Sequence, residues 1–525
     1  MAATEAGEAR PGTVWPDRWV LAGLVAAAAV LHGWMVGHTA VAARDSIGFI
    51  RYALVLDENP WSEVLPHIEQ HPGYPAALLV VSWPLRWFLG TTPAVMALAA
   101  QLTSALAGVL LVIPLYYLAR EFFDRRSAVT AALLFQCLPI CLQVTSDGLS
   151  EGLYLFFVVS ALALAVQALR LRSPLRFALA GFFTGLAYLT RPEGALVAPV
   201  VLVVLASVPL APAVRWPWRR ALACAASFAL ATGATSGPNM ATIGSVTPKP
   251  ATLQLMDSIG QVHEPQRTAP TVVTSPPLAS LFGAFWNSQV RSAWWGVWAL
   301  ALEVARSLQY VVAVPALVGA WWFRSRLQQP GAWLVLGLFG LQAAALCWMS
   351  AQLGYLSERH TLPLALIALL PAGAALVALG DWLAGRYRPA PSSAVVGLLT
   401  GLMACAAFVP SAIHPLHANR AGHRAAGEWL AEHAGADDVI LDPFCWAHFY
   451  SGRFTRCGFN PPADQRIDFV ILEKSTNPHD RLPALQKARL LAARGTLIYQ
   501  WSPPKAERKR KAEIVEVYAV PAARE

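Results

Sequence analysis

Charge is scarce in this chain. Only 14% of its 525 residues are Asp, Glu, Lys or Arg, against 56% hydrophobic. Soluble domains carry about 25% charged residues, so a soluble enzyme of this length is excluded. A metal-binding cysteine pattern is also missing: Cys137 and Cys141 are the one closely spaced pair, and no second pair completes the four-ligand set of a structural zinc. Cys137, Cys141, Cys224, Cys347 and Cys405 lie in apolar segments, where a thiol acts as a small hydrophobe. Cys445 and Cys457 lie in the polar tail and would pair if it faces an oxidising compartment. There is no internal repeat. No short apolar run with a cleavage site follows the polar start, so Val20–His38 reads as an uncleaved first span.

What the chain has instead is apolar stretches of about 20 residues, each long enough to cross a hydrocarbon core of about 30 Å. The reading is a polytopic α-helical membrane protein with about eleven spans. They are Val20–His38, Pro93–Leu118, Ala128–Leu142, Leu153–Leu169, Phe177–Leu189, Ala195–Leu210, Ala221–Thr235, Tyr310–Phe323, Ala332–Ser350, Leu362–Leu379 and Ala394–Ile413. Ala76–Leu89 is short and interrupted by Ser-Trp-Pro, which suits a re-entrant or interfacial helix. Trp294–Leu308, aromatic on one side and carrying Glu303 and Arg306, also reads as interfacial.

The net charge of +9 is distributed by topology. Arginines cluster in alternate short loops: Arg120, Arg125 and Arg126; Arg170, Arg172 and Arg176; Arg215, Arg219 and Arg220; Arg324 and Arg326; Arg386 and Arg388. This is the positive-inside pattern. It puts these loops in the cytoplasm, puts two long loops (39–75 and 237–292) outside, and gives no reason to invoke nucleic acid. Residues 1–413 form the membrane domain, and from 414 to 525 the composition turns soluble. There AGHRAAGEWLAEHAG and PALQKARLLAAR have helical spacing, while DVILD, DFVILE, TLIYQW and EIVEVYAV read as strands. The tail is therefore a small α/β domain on the outer side, with KAERKRK as a solvated hairpin loop between its last two strands.

Ionisable groups at a membrane face are costly unless used, and four sets converge on the outer face. The first is Asp45 with Arg44, Arg51 and Tyr52, followed by the His71–Pro75 turn. Helical spacing puts Asp45, Gly48 and Tyr52 on one face, with Arg44 and Arg51 on a neighbouring stripe. The second is Asp147 with Glu151, four residues apart and so on one helical face. The third is Arg191 with Glu193, and the fourth is Glu358, Arg359 and His360. Arginine grips phosphate through a charged two-pronged fork, and a carboxylate beside it can act as general base towards an acceptor hydroxyl. Paired acids such as Asp147 and Glu151 can hold a divalent metal or orient Arg191. Structural readings stand beside these. Arg191 and Arg359 can be snorkelling anchors, Asp45 and Asp147 helix N-caps, and His71 and Pro72 shapers of the loop exit.

The order of these motifs resembles a known family. Asp45 with Tyr52-Ala53, the His71-Pro72-Gly73-Tyr74-Pro75 turn, the acid at Asp147, TRPEG at Thr190–Gly194 and SERHTLPL at Ser357–Leu364 are similar to membrane glycosyltransferases of the GT-C superfold. The branch is that of protein O-mannosyltransferases and lipid A aminoarabinose transferases, glycosyltransferase family 39. The tail from Arg424 to Arg453 resembles the extracytoplasmic domain of its bacterial members. The resemblance implies transfer of a sugar from a polyprenyl-phosphate donor to an acceptor outside the cytoplasm, with inversion, in a bacterial inner membrane. It carries the catalytic aspartate onto Asp45, the second-loop acid onto Asp147 and a phosphate-gripping base onto Arg359. Arg191, Arg51 and His360 are further phosphate-binding candidates. Glu151, His71 and Tyr52 join Asp147 as candidates for organising the acceptor or a metal. Two departures stand out: Asp45-Ser46 replaces the family's Asp-Glu pair, and His71-Pro72-Gly73 replaces Pro-Pro-Gly.

Overall fold

The computed structural model describes residues 17–211, 216–248, 293–353, 356–386, 393–453, 466–474, 483–503 and 513–521. Cys457, Arg215, Arg388, the KAERKRK loop and residues 249–292 of the second long loop lie outside the described residues. Helices of six or more residues in the membrane domain are α1 Asp17–Gly37, α2 Arg44–Glu58, α3 Gly73–Leu89, α4 Pro93–Phe122, α5 Arg125–Cys137, α6 Pro139–Val144, α7 Glu151–Leu171 and α8 Pro174–Thr190. They continue as α9 Val197–Ser207, α10 Trp218–Ile243, α11 Ala293–Ser307, α12 Ala313–Trp322, α13 Pro330–Leu353, α14 Leu362–Arg386 and α15 Ser393–Ala412.

Every expected span falls on a helix. Among the described residues, seven segments, each starting at or near an expected span, are long and apolar enough to cross a membrane by length and composition. Of the remaining four, α5, α8 and α12 are shorter, and α10 is less apolar along its length. Span three is divided: Pro139 disfavours helical backbone at Leu138, so α5 stops at Cys137 and α6 restarts with proline in its first turn. Ala76–Leu89 belongs to α3, whose outer side leaves Val80, Trp83, Trp87 and Phe88 exposed.

Lipid tails are as apolar as leucine, so helices in a membrane are held by close packing and small residues. The sequence Gly181-Phe-Phe-Thr-Gly185 on α8 supplies a glycine pair one turn apart that faces α10. A Cβ on Gly181 would collide with the Phe228 carbonyl oxygen, and one on Gly185 with the Thr235 side chain. Gly181→Val should therefore separate these helices at a cost of about 1–3 kcal/mol. A lowered melting temperature of the purified protein checks this; an unchanged one would mean that the interface yields easily.

The arginine clusters gather at one end of the bundle. Arg126 grips both oxygens of Asp381 at 2.8 and 3.0 Å. Arg170 pairs with Glu121 at 3.4 Å, Arg220 donates to the Arg172 carbonyl, and Arg326 donates to that of Phe122. The loops around residues 40, 147, 192 and 358 lie at the opposite end, where the tail docks.

The tail forms a four-stranded sheet with α16 Ala421–His433 and α17 Pro483–Ala492. Its strands, β1 Ile440–Leu441, β2 Phe469–Lys474, β3 Thr496–Trp501 and β4 Ile514–Ala519, lie in the order β1-β2-β4-β3. The β1–β2 pair is parallel and the others are antiparallel. DVILD pairs over two residues only, Ile440 and Leu441. Side chains alternate across β2, as strand geometry requires: Ile471 packs with Ala426 and Leu430 of α16, and Val470 with Ala488 and Ala492 of α17. The tail is not suspended from the membrane domain. Phe444, Trp446, Phe449 and Tyr450 share one apolar cluster with Val41, Ala42, Ile47 and Ile50. Trp446 Nε1 donates to the Ala42 carbonyl at 2.8 Å, and the Ala42 amide donates to the Tyr450 hydroxyl at 2.9 Å.

Candidate active site

Asp45 is the second residue of α2, where the helix dipole favours a carboxylate. It is not the N-cap: Ala43 holds that position, and no side chain caps it. Asp45 Oδ2 accepts from Arg359 Nη1 at 2.6 Å, with side chains 48% and 34% exposed respectively. Arg359 comes from a 3-10 turn, Glu358–Thr361, opened by a capping box in which Ser357 Oγ meets His360 Nδ1 at 2.9 Å. Helix α11 pins this turn. Ser307 donates to the Glu358 carbonyl and bonds Thr361 Oγ1 at 2.8 Å, while Arg306 bridges Glu303 at 3.0 Å and Glu358 at 3.3 Å. Glu303 and Arg306 thus serve as a brace rather than as polar trim on an interfacial helix, a role the sequence reading missed.

Arg191 stands in extended backbone between α8 and the turn Pro192–Leu196. It meets Glu151 at 2.7 Å and Glu193 at 3.3 Å. Burial works against its charge, but Glu193 and Glu151 outweigh that and hold its pKa above the ordinary arginine value. Arg359 Nε lies 4.0 Å from Glu151, so charges alternate from Asp45 through Arg359, Glu151 and Arg191 to Glu193. All of these but Glu193 line a cavity of about 240 Å³ together with Phe49, Gln70, His71, Leu149, Ser150, Thr190 and His360. A smaller adjoining cavity shares Glu151, Arg191, Arg359 and His360 and runs on to Leu346 of α13 and Leu362 of α14. His71 reaches the first cavity because Gly73 packs tightly on the Leu189 carbonyl, where a Cβ would sit 2.6 Å away. His71 Nε2 contacts Thr247 Oγ1 at 3.0 Å.

Of the sequence candidates, Asp45, Arg359, Arg191, His360, Glu151 and His71 meet in this space. The other three do not. Asp147 and Glu151 do not share a helical face: α7 begins at Glu151, and Gly148, with φ +69°, turns the chain before it. Asp147 instead takes His417 Nε2 at 2.8 and 3.0 Å through its two oxygens, so it is no N-cap either. Burial pushes the Asp147 pKa up, against the pull of His417. Arg51 faces His448 Nδ1 at 3.3 Å, and Tyr52 is buried against Leu56 and Val64. Ser46, at the departure from Asp-Glu, is fully buried and donates to the carbonyls of Asp147 and Gly148 at 3.0 and 2.8 Å. It ties α2 to the second loop in space too tight for a glutamate.

Burial pulls the His448 pKa down to about 4, helped by Arg51 and Arg453 and opposed by Asp442. An undocked or unfolded tail takes up a proton near 6.5, so the docked form binds fewer protons between pH 6.5 and 4. Its stability should therefore fall as pH drops through that window. Hydrogen-exchange protection factors across residues 421–453, which correct for the slower intrinsic exchange in acid, should fall on acidification. In His448→Gln the pH dependence should flatten; an unchanged slope would rule out His448 as its origin.

Among the described residues no group of three or more His, Cys, Asp or Glu could hold a metal ion. Asp147 is taken by His417, and Glu151 by Arg191. This donor set does not fit the divalent metal that the paired acids suggested.

Residues 70–232 match the family model described as dolichyl-phosphate-mannose-protein mannosyltransferase. Sequence comparison with curated proteins gives no match. Among solved structures, ArnT from Cupriavidus metallidurans bound to undecaprenyl phosphate is 14% identical with a TM-score of 0.54, covering 96% of this chain and 98% of its own. The Archaeoglobus fulgidus oligosaccharyltransferase, in complex with Zn and sulfate, is 15% identical with a TM-score of 0.55. That match covers 82% of this chain and 61% of the archaeal one, so this chain spans about three fifths of its length. The archaeal oligosaccharyltransferase AglB, in complex with an inhibitory peptide and a dolichol-phosphate, is 15% identical with a TM-score of 0.54, covering 84% of this chain and 60% of its own. Identities this low speak for the fold. The chain is a polytopic helical membrane protein with the GT-C-like fold of these structures, and its residues 70–232 match the dolichyl-phosphate-mannose-protein mannosyltransferase family model.

Proposed function

We propose that this chain is an inverting glycosyltransferase that moves a hexosyl or pentosyl group from a polyprenyl-phosphate donor to an extracytoplasmic protein, lipid or glycan. The observation that supports it most is the Asp45–Arg359 contact at the mouth of a cavity that also holds Arg191. A base and two cations stand within one small space. The solved relatives bound to undecaprenyl phosphate and dolichol-phosphate support the donor class. In this reading residues 1–413 are the catalytic domain, and 414–525 form an extracytoplasmic domain clamped over α2. The arginine-rich end faces the cytoplasm of a bacterial inner membrane and the cavity faces the periplasm.

The reaction is a direct displacement. The acceptor oxygen forms a bond to the anomeric carbon as its proton passes to Asp45. The bond from that carbon to the phosphate oxygen breaks on the opposite face, and its electron pair leaves with the polyprenyl phosphate. Charge grows on that phosphate, so pre-placed guanidinium groups stabilise the transition state more than the ground state. Arg359 lies between base and leaving group. Arg191, fixed by two glutamates, sets the field behind it. His71 and Gln70 offer hydrogen bonds to sugar hydroxyls. Asp147 acts from a distance: with His417 it fastens the second loop to the tail and, through Ser46, to α2.

Membranes supplied with radiolabelled polyprenyl-phosphate sugars provide the test. Label appearing in a new product, dependent on Asp45, supports the transferase. Label that crosses the bilayer still attached to its lipid, equally in wild type and Asp45→Asn, would replace it with a flippase of lipid-linked sugars.

A further inference from the structure

We propose a second lipid site at the opposite end of the bundle: a groove between α12, α13 and α14 that takes an acyl chain of an anionic phospholipid, with the phosphate on Arg326. The groove has a volume of about 280 Å³ and is walled by side chains such as Leu317, Phe323, Val335, Leu336 and Ile367. Among the described residues, Arg326 is the one charged residue lining it, and no acid does so. It sits at the exposed rim, in the 3-10 turn Arg324–Gln328.

Three features make this rim a phosphate seat. The Arg326 guanidinium lies 5.6 Å from the Phe123 ring and 5.7 Å from that of Phe323, so its plane is held against aromatic walls. One of its N–H groups donates to the Phe122 carbonyl, which fixes the fork and leaves further donors. Among the described residues no carboxylate pairs with it, in contrast to nearby Arg170, which has Glu121. A guanidinium at a lipid-facing groove therefore draws its counter-charge from outside the chain. Beside it, Trp321 and Trp322 are 71% and 58% exposed and Arg324 stacks on Trp321 at 4.5 Å, the aromatic and basic furniture of a headgroup layer. Arg326 and Arg324 have no carboxylate partner among the described residues, while the neighbouring Glu121 and Asp124 are paired with Arg170 and Arg126, which favours an anionic headgroup over a zwitterionic one.

The site is separate from the candidate active site. Helix α7 starts in the latter at Glu151 and over its 21 residues runs to Arg170 and Glu121, a rise of about 30 Å.

Wild-type protein reconstituted with phosphatidylglycerol or phosphatidylcholine, extracted and weighed by native mass spectrometry, gives the first readout. One phosphatidylglycerol should be retained several-fold more than phosphatidylcholine. Arg326→Gln, which removes the seat, and Ala368→Phe, which fills the groove from its α14 wall, should each lose that preference. Arg359→Ala should keep it. Equal retention of both lipids, or loss of the bound lipid in Arg359→Ala with Arg326 intact, would overturn the proposal. A phosphatidylglycerol with a benzophenone-tipped acyl chain, photolysed on the wild type, gives a readout without variants. Crosslinks should map to α12, α13 and α14, and crosslinks confined to other helices would likewise overturn it.

Discussion

Asp45→Asn should slow sugar transfer by about 10²–10⁴-fold, the usual worth of a positioned general base, while leaving expression and melting unchanged. The side chains have the same shape, and Asp45 is half exposed, so its ion pair with Arg359 contributes little to stability. Neither α2 nor its start depends on it, because the helix begins at Arg44 behind an uncapped Ala43. Asparagine still occupies the cavity but no longer accepts the acceptor's proton. It also frees the Arg359 Nη1 donor for the donor phosphate, with Glu151 still 4.0 Å from Nε. The loss should therefore appear in kcat, with the KM for the polyprenyl-phosphate sugar unchanged or lower. Turnover within tenfold of wild type would remove Asp45 from the role of base. A raised KM at normal kcat would recast it as an orienting group for Arg359.

Much of the architecture was legible because membrane physics writes it in composition. Apolar length and arginine placement located every helix that answers an expected span, and alternation located the strands of the tail. The site was legible as residue types and harder to read as partnerships. Asp147 and Glu151 look like neighbours at a spacing of four, yet one positive-φ glycine between them sends the first to His417, some 270 residues away. Arg51 and Tyr52 have the right helical phase relative to Asp45. Phase does not reveal that the tail arrives over one stripe and that α3 and its approach bury the other. Long-range partners such as His417, His448 and the Arg306–Glu358 brace carry no local pattern. The nearest signal was the polar content of Trp294–Leu308, which a purely interfacial helix does not need. The sequence also hides why Ser46 replaces an acid: only the fold shows it wedged under two carbonyls.

The two site arginines should fail in different ways. Arg359→Ala should fold normally and lose about 10²–10³-fold in kcat/KM, the scale seen when one pre-placed donor to a developing oxyanion is removed. Arg359→Lys should recover only part, because an ammonium keeps the charge but loses the fork. Arg191→Ala should instead damage the protein first. Arg191 is 12% exposed and Glu151 5%, and removing one partner of a buried pair leaves an uncompensated charge worth about 3–5 kcal/mol. Glu193, at 30% exposure, can hydrate its carboxylate, while Glu151 has only the more distant Arg359 at 4.0 Å to turn to. Arg191→Ala should therefore lower the melting temperature and yield, and Arg191→Ala with Glu151→Gln should restore much of both. Thermal melts and transfer assays on the same membranes separate the cases. A stable but inactive Arg191→Ala beside an unstable Arg359→Ala would exchange their roles, making Arg191 the hand on the phosphate and Arg359 the strut that holds α2 to the 3-10 turn.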